Sequence, residues 1–175
     1  MRRYLRTYIP GGCFFFTVNL ADRRSELLTS KVNVLRQAFR QTRSDHPFTV
    51  EAIVVLPDHL HTIWTLPEND TDYSQRWSLI KARFSRALTK TEPVSQSRNR
   101  KRERGIWQRR FFEHAIRDQH DLESHIHYTH WNPVKHGWAK RAGDWPHSSI
   151  HRFIRESKLE PGWVAASDTQ ALDLE

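Results

Sequence analysis

The run Pro57-Asp58-His59-Leu60-His61-Thr62-Ile63-Trp64 sets two histidines either side of one apolar residue, in a segment that otherwise reads as a β-strand. Side chains alternate faces along a strand, so His59 and His61 point one way and Leu60 points the other, into the core. Two imidazoles about 7 Å apart along one face can converge on a single metal ion. Far along the chain, His125-Ile126-His127-Tyr128-Thr129-His130-Trp131-Asn132 reads as helix. Tyr128 and Asn132 are four residues apart there, on one face and one turn from each other. An amide oxygen is a hard donor suited to magnesium or manganese, and imidazole accepts manganese. His59, His61 and Asn132 would leave positions open for a phosphate oxygen and water. A cation held there would polarise a phosphodiester, and the phenolate of Tyr128 could attack it in line to give a phosphotyrosine and a free 3′-hydroxyl. Taken singly, each feature has a plainer reading: a His pair on a strand surface, and a core aromatic on a helix.

The elements that must carry these residues follow from periodicity. Gly11-Gly12 turns the chain into an aromatic and β-branched strand over 13–20. Leu28, Val32, Leu35 and Phe39 recur at helical spacing, which predicts a helix over 27–43 with Ser25 as its N-cap. Residues 48–56 and 59–66 read as two strands joined through Pro57-Asp58. Trp77, Ile80, Phe84 and Leu88 mark a second helix. The Ser-, Asn- and Arg-rich stretch 91–104 reads as a mobile basic loop, and 106–117 returns to strand character. Asp118 or Asp121 caps a third helix, which the proline at 133 should end at Asn132. A short helix starts near Ser148.

The order β-α-β-β-α-β then helix predicts an α+β fold. It is a ferredoxin-like antiparallel sheet with helices on one face, followed by the tyrosine helix and a short C-terminal helical extension. Residues 1–153 read as one domain that includes a basic N-terminal arm. Residues 154–175 read as an acidic, loosely held tail, with five Asp/Glu and one Lys from Glu156 onward.

The 175 residues carry 28 Lys+Arg and 20 Asp+Glu, a net charge of +8, which favours an anionic partner, nucleic acid above all. Cys13 is the single cysteine, so neither an intramolecular disulfide nor a cysteine zinc site is possible. Nothing reads as a membrane span or a signal peptide, so no membrane partner and a cytoplasmic, nucleoid-associated location are expected. Arg2, Arg3 and Arg6 form the basic arm. Arg102, Arg104, Arg109 and Arg110 lie in a dense basic run beside Trp107. Such cations neutralise a nucleic-acid backbone, and an aromatic among them can stack on unpaired bases.

The segments His59-Leu60-His61 and Tyr128-Thr129-His130-Trp131-Asn132-Pro133-Val134-Lys135-His136-Gly137 together resemble the REP-associated tyrosine transposases, single-tyrosine members of the HUH endonuclease superfamily. Arg2-Arg3-Tyr4, Gly11-Gly12, the stretch from Gly105 to His114 and Trp145-Pro146-His147-Ser148-Ser149 look like the same family. The resemblance covers about residues 2–153. It implies that His59 and His61 bind the metal, that Tyr128 is the nucleophile, and that Asn132 stands where relatives place a polar third ligand. It further implies single-stranded or hairpin DNA from repetitive extragenic palindromes as substrate, and a monomer rather than a homodimer. The competing expectation is a catalytically weak regulator that binds the same hairpins; a pure binder would have no physical need for the trio His59, His61 and Tyr128.

Overall fold

The computed structural model describes residues 6–90, 96–100 and 104–172. The strands are β1 (Cys13–Asn19), β2 (Thr49–Val55), β3 (His59–Thr65) and β4 (Phe112–Ala115). They form one sheet in the order β2-β3-β1-β4 with every neighbouring pair antiparallel. β3 therefore lies between β1 and β2, and the two histidines sit in the middle of the sheet. The helices among the described residues are α1 (Leu27–Ser30), α2 (Val32–Asp45), α3 (Tyr73–Arg86), α4 (Gln96–Arg100), α5 (Gln119–Lys135), α6 (Ile150–Arg155) and α7 (Ser167–Gln170). No helix among them is long and apolar enough to cross a membrane.

Phe14, Phe15 and Phe16 are all fully buried, so β1 has no solvent face and both sides of the sheet need cover. Phe14, Phe16, Val18, Leu60 and Trp64 pack against Leu35 and Phe39 of α2 and against Tyr73, Trp77, Ile80 and Phe84 of α3. Phe15, Ala52 and Ile63 face the other way and meet Tyr128 of α5. The tyrosine helix thus closes the face opposite α2 and α3. The ring of Trp64 stacks on Trp77 with centroids 4.3 Å apart and meets Phe48 at 4.2 Å. Trp64→Ala is accordingly expected to cost about 3–5 kcal/mol in denaturant unfolding, the usual range for deleting a buried large aromatic. A loss under about 1 kcal/mol would contradict this packing.

The Trp145-Pro146-His147-Ser148-Ser149 segment covers the outer edge of β2. Val55 N–H donates to the His147 carbonyl at 2.8 Å and Ile53 N–H to Ser149 Oγ at 2.9 Å; Ser149 N–H returns a bond to the Ile53 carbonyl at 2.8 Å. An open edge is closed this way. The same Ser149 Oγ lies 2.9 Å from His130 Nε2 on α5, so the segment also ties α5 to the sheet.

Several boundaries differ from expectation. The first helix is interrupted at Lys31, which leaves helical torsions (φ −117°), and resumes to Asp45. The basic stretch forms a short helix over Gln96–Arg100, while 91–95 and 101–103 lie outside the described residues. Only Phe112–Ala115 of the predicted fourth strand joins the ladder; Trp107 makes an isolated bridge to Leu20. α5 starts after Asp118, whose side chain accepts the Asp121 N–H at 2.9 Å. It then runs through Pro133 to Lys135. Proline's own φ suits a helix, so the cost is the bond Thr129's carbonyl would have received. The end is set instead by Gly137 (φ +72°), where Gly137 N–H reaches Val134 O at 3.0 Å and Trp138 N–H reaches Pro133 O at 2.8 Å. That is the Schellman pattern of a left-handed glycine stop. The tail does not hang free as far as Leu172. The Trp163 ring approaches those of His127 (5.2 Å) and Trp131 (6.4 Å), Thr169 is buried, and Leu172 packs against the cluster around Tyr128.

Candidate metal centre and tyrosine

His59 and His61 are both buried, and each ring is fixed through Nδ1. His59 Nδ1 lies 2.8 Å from Asp58 Oδ1, and Arg23 Nε holds the other carboxylate oxygen at 2.9 Å. His61 Nδ1 lies 2.9 Å from Thr17 Oγ1, on the strand residue paired with it. Both Nε2 atoms are buried without a hydrogen-bond partner among the described residues. This is the arrangement of metal-binding histidines, in which an oxygen acceptor on one ring nitrogen orients the other toward the ion. The ring centres are 5.1 Å apart. Burial, then the charges of His59, His136 and Lys135, holds His61 well below the usual imidazole range, so its free nitrogen carries a lone pair at neutral pH.

α5 supplies the rest. Tyr128 is 1% exposed, its ring centre 5.3 Å from that of His61 and 6.0 Å from that of Phe15. Lys135 Nζ lies 3.4 Å from Tyr128 Oη and 5.1 Å from its ring centre, and donates to the Leu172 carbonyl at 3.1 Å. Asn132 is fully buried, and neither amide atom has a hydrogen-bond partner among the described residues. His136, one turn further on, brings its ring centre to 5.1 Å from that of His59.

Leaving a buried polar atom unpaired costs about 1–3 kcal/mol. Here the two histidine Nε2 atoms and the Asn132 amide carry that cost together, on facing elements. Two imidazoles and an amide oxygen are a donor set that fits a divalent cation and leaves positions open. Of the residues singled out from sequence, His59 and His61 on β3 and Tyr128 on α5 lie side by side, and Asn132 is buried one turn along α5 from Tyr128.

A second group of ligand-type residues, His114, Asp121 and His125, was not expected. His114 Nε2 lies 2.9 Å from Asp121 Oδ2, which also accepts the Arg117 N–H at 3.0 Å. His125 Nδ1 lies 3.1 Å from Asp121 Oδ1 and 2.8 Å from its carbonyl. Burial raises the Asp121 carboxyl, but the His114 and Arg117 hydrogen bonds outweigh it and bring it down to about 2. With its oxygens so engaged, Asp121 acts as a staple between β4 and the first turn of α5.

The basic residues fall elsewhere. Arg6, Lys81, Arg98, Arg104, Trp107, Arg109 and Phe111 line a cavity of about 630 Å³ on the α3 side of the sheet. Trp107 is 7% exposed, and its indole N–H donates to Ser85 Oγ at 3.2 Å, so it forms a wall of the groove rather than a free stacking platform. The Arg104 guanidinium donates to the carbonyl of Ser85 in the last turn of α3 and to those of Leu88 (2.7 Å) and Thr89 (2.9 Å) just beyond it. Arg6 lies over the Phe111 ring at 4.4 Å. Arg109 and Arg110 are exposed, and Arg110 stands outside the groove. Arg2, Arg3 and Arg102 lie outside the described residues.

The family described as Transposase IS200 like matches residues 13–132, from the start of β1 to Asn132. The chain is 46% identical over 164 residues to the REP-associated tyrosine transposase of Escherichia coli strain K12, covering 94% of this chain and 92% of that one. A relative from Haemophilus influenzae is 44% identical over 169 residues, 96% of each chain. A solved structure of a REP-associated tyrosine transposase bound to a REP hairpin is similar at a TM-score of 0.84 and 45% identity, covering 95% of this chain and 93% of that chain.

Proposed function

The chain belongs to the IS200-like transposase family, and from that premise we propose that it is a divalent-metal-dependent endonuclease and strand-transferase. Its substrate in this reading is single-stranded or hairpin DNA from repetitive extragenic palindromes. The observation that carries the reading is the pair of buried, unpartnered imidazole nitrogens beside a buried tyrosine. Magnesium or manganese bound by His59, His61 and Asn132 would polarise a phosphate oxygen and offset the charge that builds on phosphorus. Asp58 and Thr17 hold the two imidazoles in the orientation this needs. Tyr128 Oη attacks phosphorus as its proton leaves to solvent, the P–O3′ bond breaks, and the 3′ oxygen takes up a proton. The DNA downstream of the break remains on Tyr128 through its 5′ phosphate. A 3′-hydroxyl attacking that phosphotyrosine reverses the step and rejoins the strand. Lys135, at hydrogen-bond range of Oη, is placed to stabilise the phenolate and then the bound phosphate.

The groove on the other side of the sheet suits the DNA backbone. The Gln108 N–H donates to the Asn19 carbonyl at 3.0 Å, and Asn19 pairs with His59 across the β1–β3 ladder. Arg109 and Arg110 therefore leave the groove at the end of the sheet that carries His59, a route by which one strand can reach both.

The test is a labelled hairpin oligonucleotide incubated with manganese or magnesium and run on a denaturing gel. A protein-linked fragment that chelator abolishes is expected; binding without any cleavage would favour the regulator instead. Lys81 gives a second test. It packs against the Trp107 and Phe111 rings and donates to the Gln108 carbonyl at 3.0 Å. Burial, and then the Arg6 charge, lowers its ammonium to about 8. The group is charged below that pH and neutral above it, so hairpin affinity should fall as pH rises from 7 to 9. Lys81→Met should flatten the profile and reduce the salt slope by about one. Anisotropy titrations at fixed salt measure both; a wild-type affinity that ignores pH over this range would remove Lys81 from the DNA interface.

A further inference from the structure

We propose that Phe112 is a stacking platform for an unpaired base of the DNA, within about three nucleotides of the phosphate that is cut; the assignment rests on the cleavage reading above. β4 is an edge strand, and the cross-strand row Phe112–Thr17–His61 runs from it through β1 to β3. Residues directly opposite one another share a face of the sheet. Thr17 is the residue that holds His61 Nδ1, so Phe112 stands on the face of the two strand histidines. It is two strand spacings from His61, about 10 Å. At a rise of about 3.4 Å per nucleotide, that is the span of about three nucleotides. The neighbours on β4 agree with this facing: Glu113 lies 3.4 Å from the Tyr73 hydroxyl on the α3 side, while His114 meets Asp121 of α5. The Phe112 ring meets Phe15 edge-on with centres 6.4 Å apart, and Phe15 in turn lies 6.0 Å from Tyr128.

A single exposed apolar side chain is ordinary on a protein surface, and the plainer use of Phe112 is to cover Phe15. Phe15 is enclosed by nearer rings, those of His125 at 4.9 Å and His61 at 5.5 Å, and Phe112, further out, keeps 39% of its surface open. The residues just before it point to nucleic acid. Arg109 and Phe111 line the basic groove on the α3 side, Arg110 between them is exposed, and Phe112 turns to the opposite face. Four consecutive residues thus carry cations and rings from the groove, round the open edge of the sheet, to the cleavage face. Cations along the backbone with an aromatic ring beside them are the usual means of holding a single strand. Of the other exposed aromatics among the described residues, Tyr8 lies on Tyr73 on the α3 side and Trp138 lies by Trp145 beyond the end of α5.

The experiment compares, by anisotropy, a hairpin that keeps unpaired nucleotides at its base with the same hairpin trimmed to its paired stem. Phe112→Leu is expected to bind the first roughly 5- to 150-fold more weakly than the unmodified chain, the range for losing one base–aromatic stack. It should bind the trimmed hairpin as the unmodified chain does, and Phe112→Trp should bind both normally. In the unmodified chain, 5-iodouracil placed at each unpaired position in turn should photocrosslink to Phe112 from within three nucleotides of the break, a result that does not depend on how any variant folds. Equal weakening on both hairpins would mark a structural role and overturn the platform. An undiminished preference of Phe112→Leu for the unpaired nucleotides, or crosslinks that map only to other residues, would also overturn it and leave the cleavage reading standing. An unmodified chain that cuts neither hairpin with manganese or magnesium overturns both.

Discussion

Tyr128→Phe is expected to eliminate the protein–DNA adduct and to reduce strand cleavage by at least about a thousandfold, the scale on which loss of a covalent nucleophile is felt. The substitution removes one oxygen from a site that is 1% exposed and keeps the ring against Phe15, Ile63 and His61. Lys135 loses the hydroxyl but keeps the Leu172 carbonyl. One hydrogen bond changes net stability by about 1 kcal/mol, so the unfolding midpoint should move by no more than about 2–4 °C. Hairpin affinity should also hold, because the groove-lining cations lie across the sheet. A variant that folds, binds and does not cleave isolates the chemical step. Cleavage retained above about a tenth of wild type would mean that water or another side chain is the nucleophile, and the covalent reading would fall.

The strand alternation that separates His59 and His61 from Leu60 was legible in the sequence because it depends only on local backbone geometry. Tyr128 and Asn132 were legible for the same kind of reason, a four-residue step along one helix. His136 continues that step, yet read alone among several histidines it carries no such mark; the contact with His59 comes from tertiary packing. Where long-range packing decides, sequence reading fell short. Trp107 stands in a run of cations and reads as a stacking platform, but its indole is drawn into the core beside Phe84. Arg104 reads as a DNA contact, and its guanidinium is spent on carbonyls at and just beyond the end of α3. The acidic residues after Glu156 suggest a loose tail, while Trp163, Thr169 and Leu172 in the same stretch dock it on α5. Net charge sees the first set and not the second. The triple phenylalanine of β1 held a clue that both sheet faces would be covered, since no alternation lets Phe14, Phe15 and Phe16 share one side.

Asn132→Leu is expected to move stability and metal response in opposite directions. The Asn132 amide is fully buried with neither nitrogen nor oxygen partnered among the described residues. Each such group costs about 1–3 kcal/mol, and a leucine, with the same four side-chain heavy atoms branched at Cγ, removes the cost while being the better helix former. In chelator, the variant should therefore unfold later than wild type. For a chain of this size each kcal/mol is worth about 2–4 °C in Tm. Manganese should reverse the ranking. A ligand at a hundred times its dissociation constant stabilises the protein that binds it by about 2.7 kcal/mol, and the variant, short of a ligand, should gain far less at the same concentration. Its cleavage should fall with its metal affinity while its hairpin affinity stays. This pattern separates a functional amide from a structural one: a structural Asn132 would make the leucine variant less stable in chelator and leave the manganese-induced shift in Tm intact.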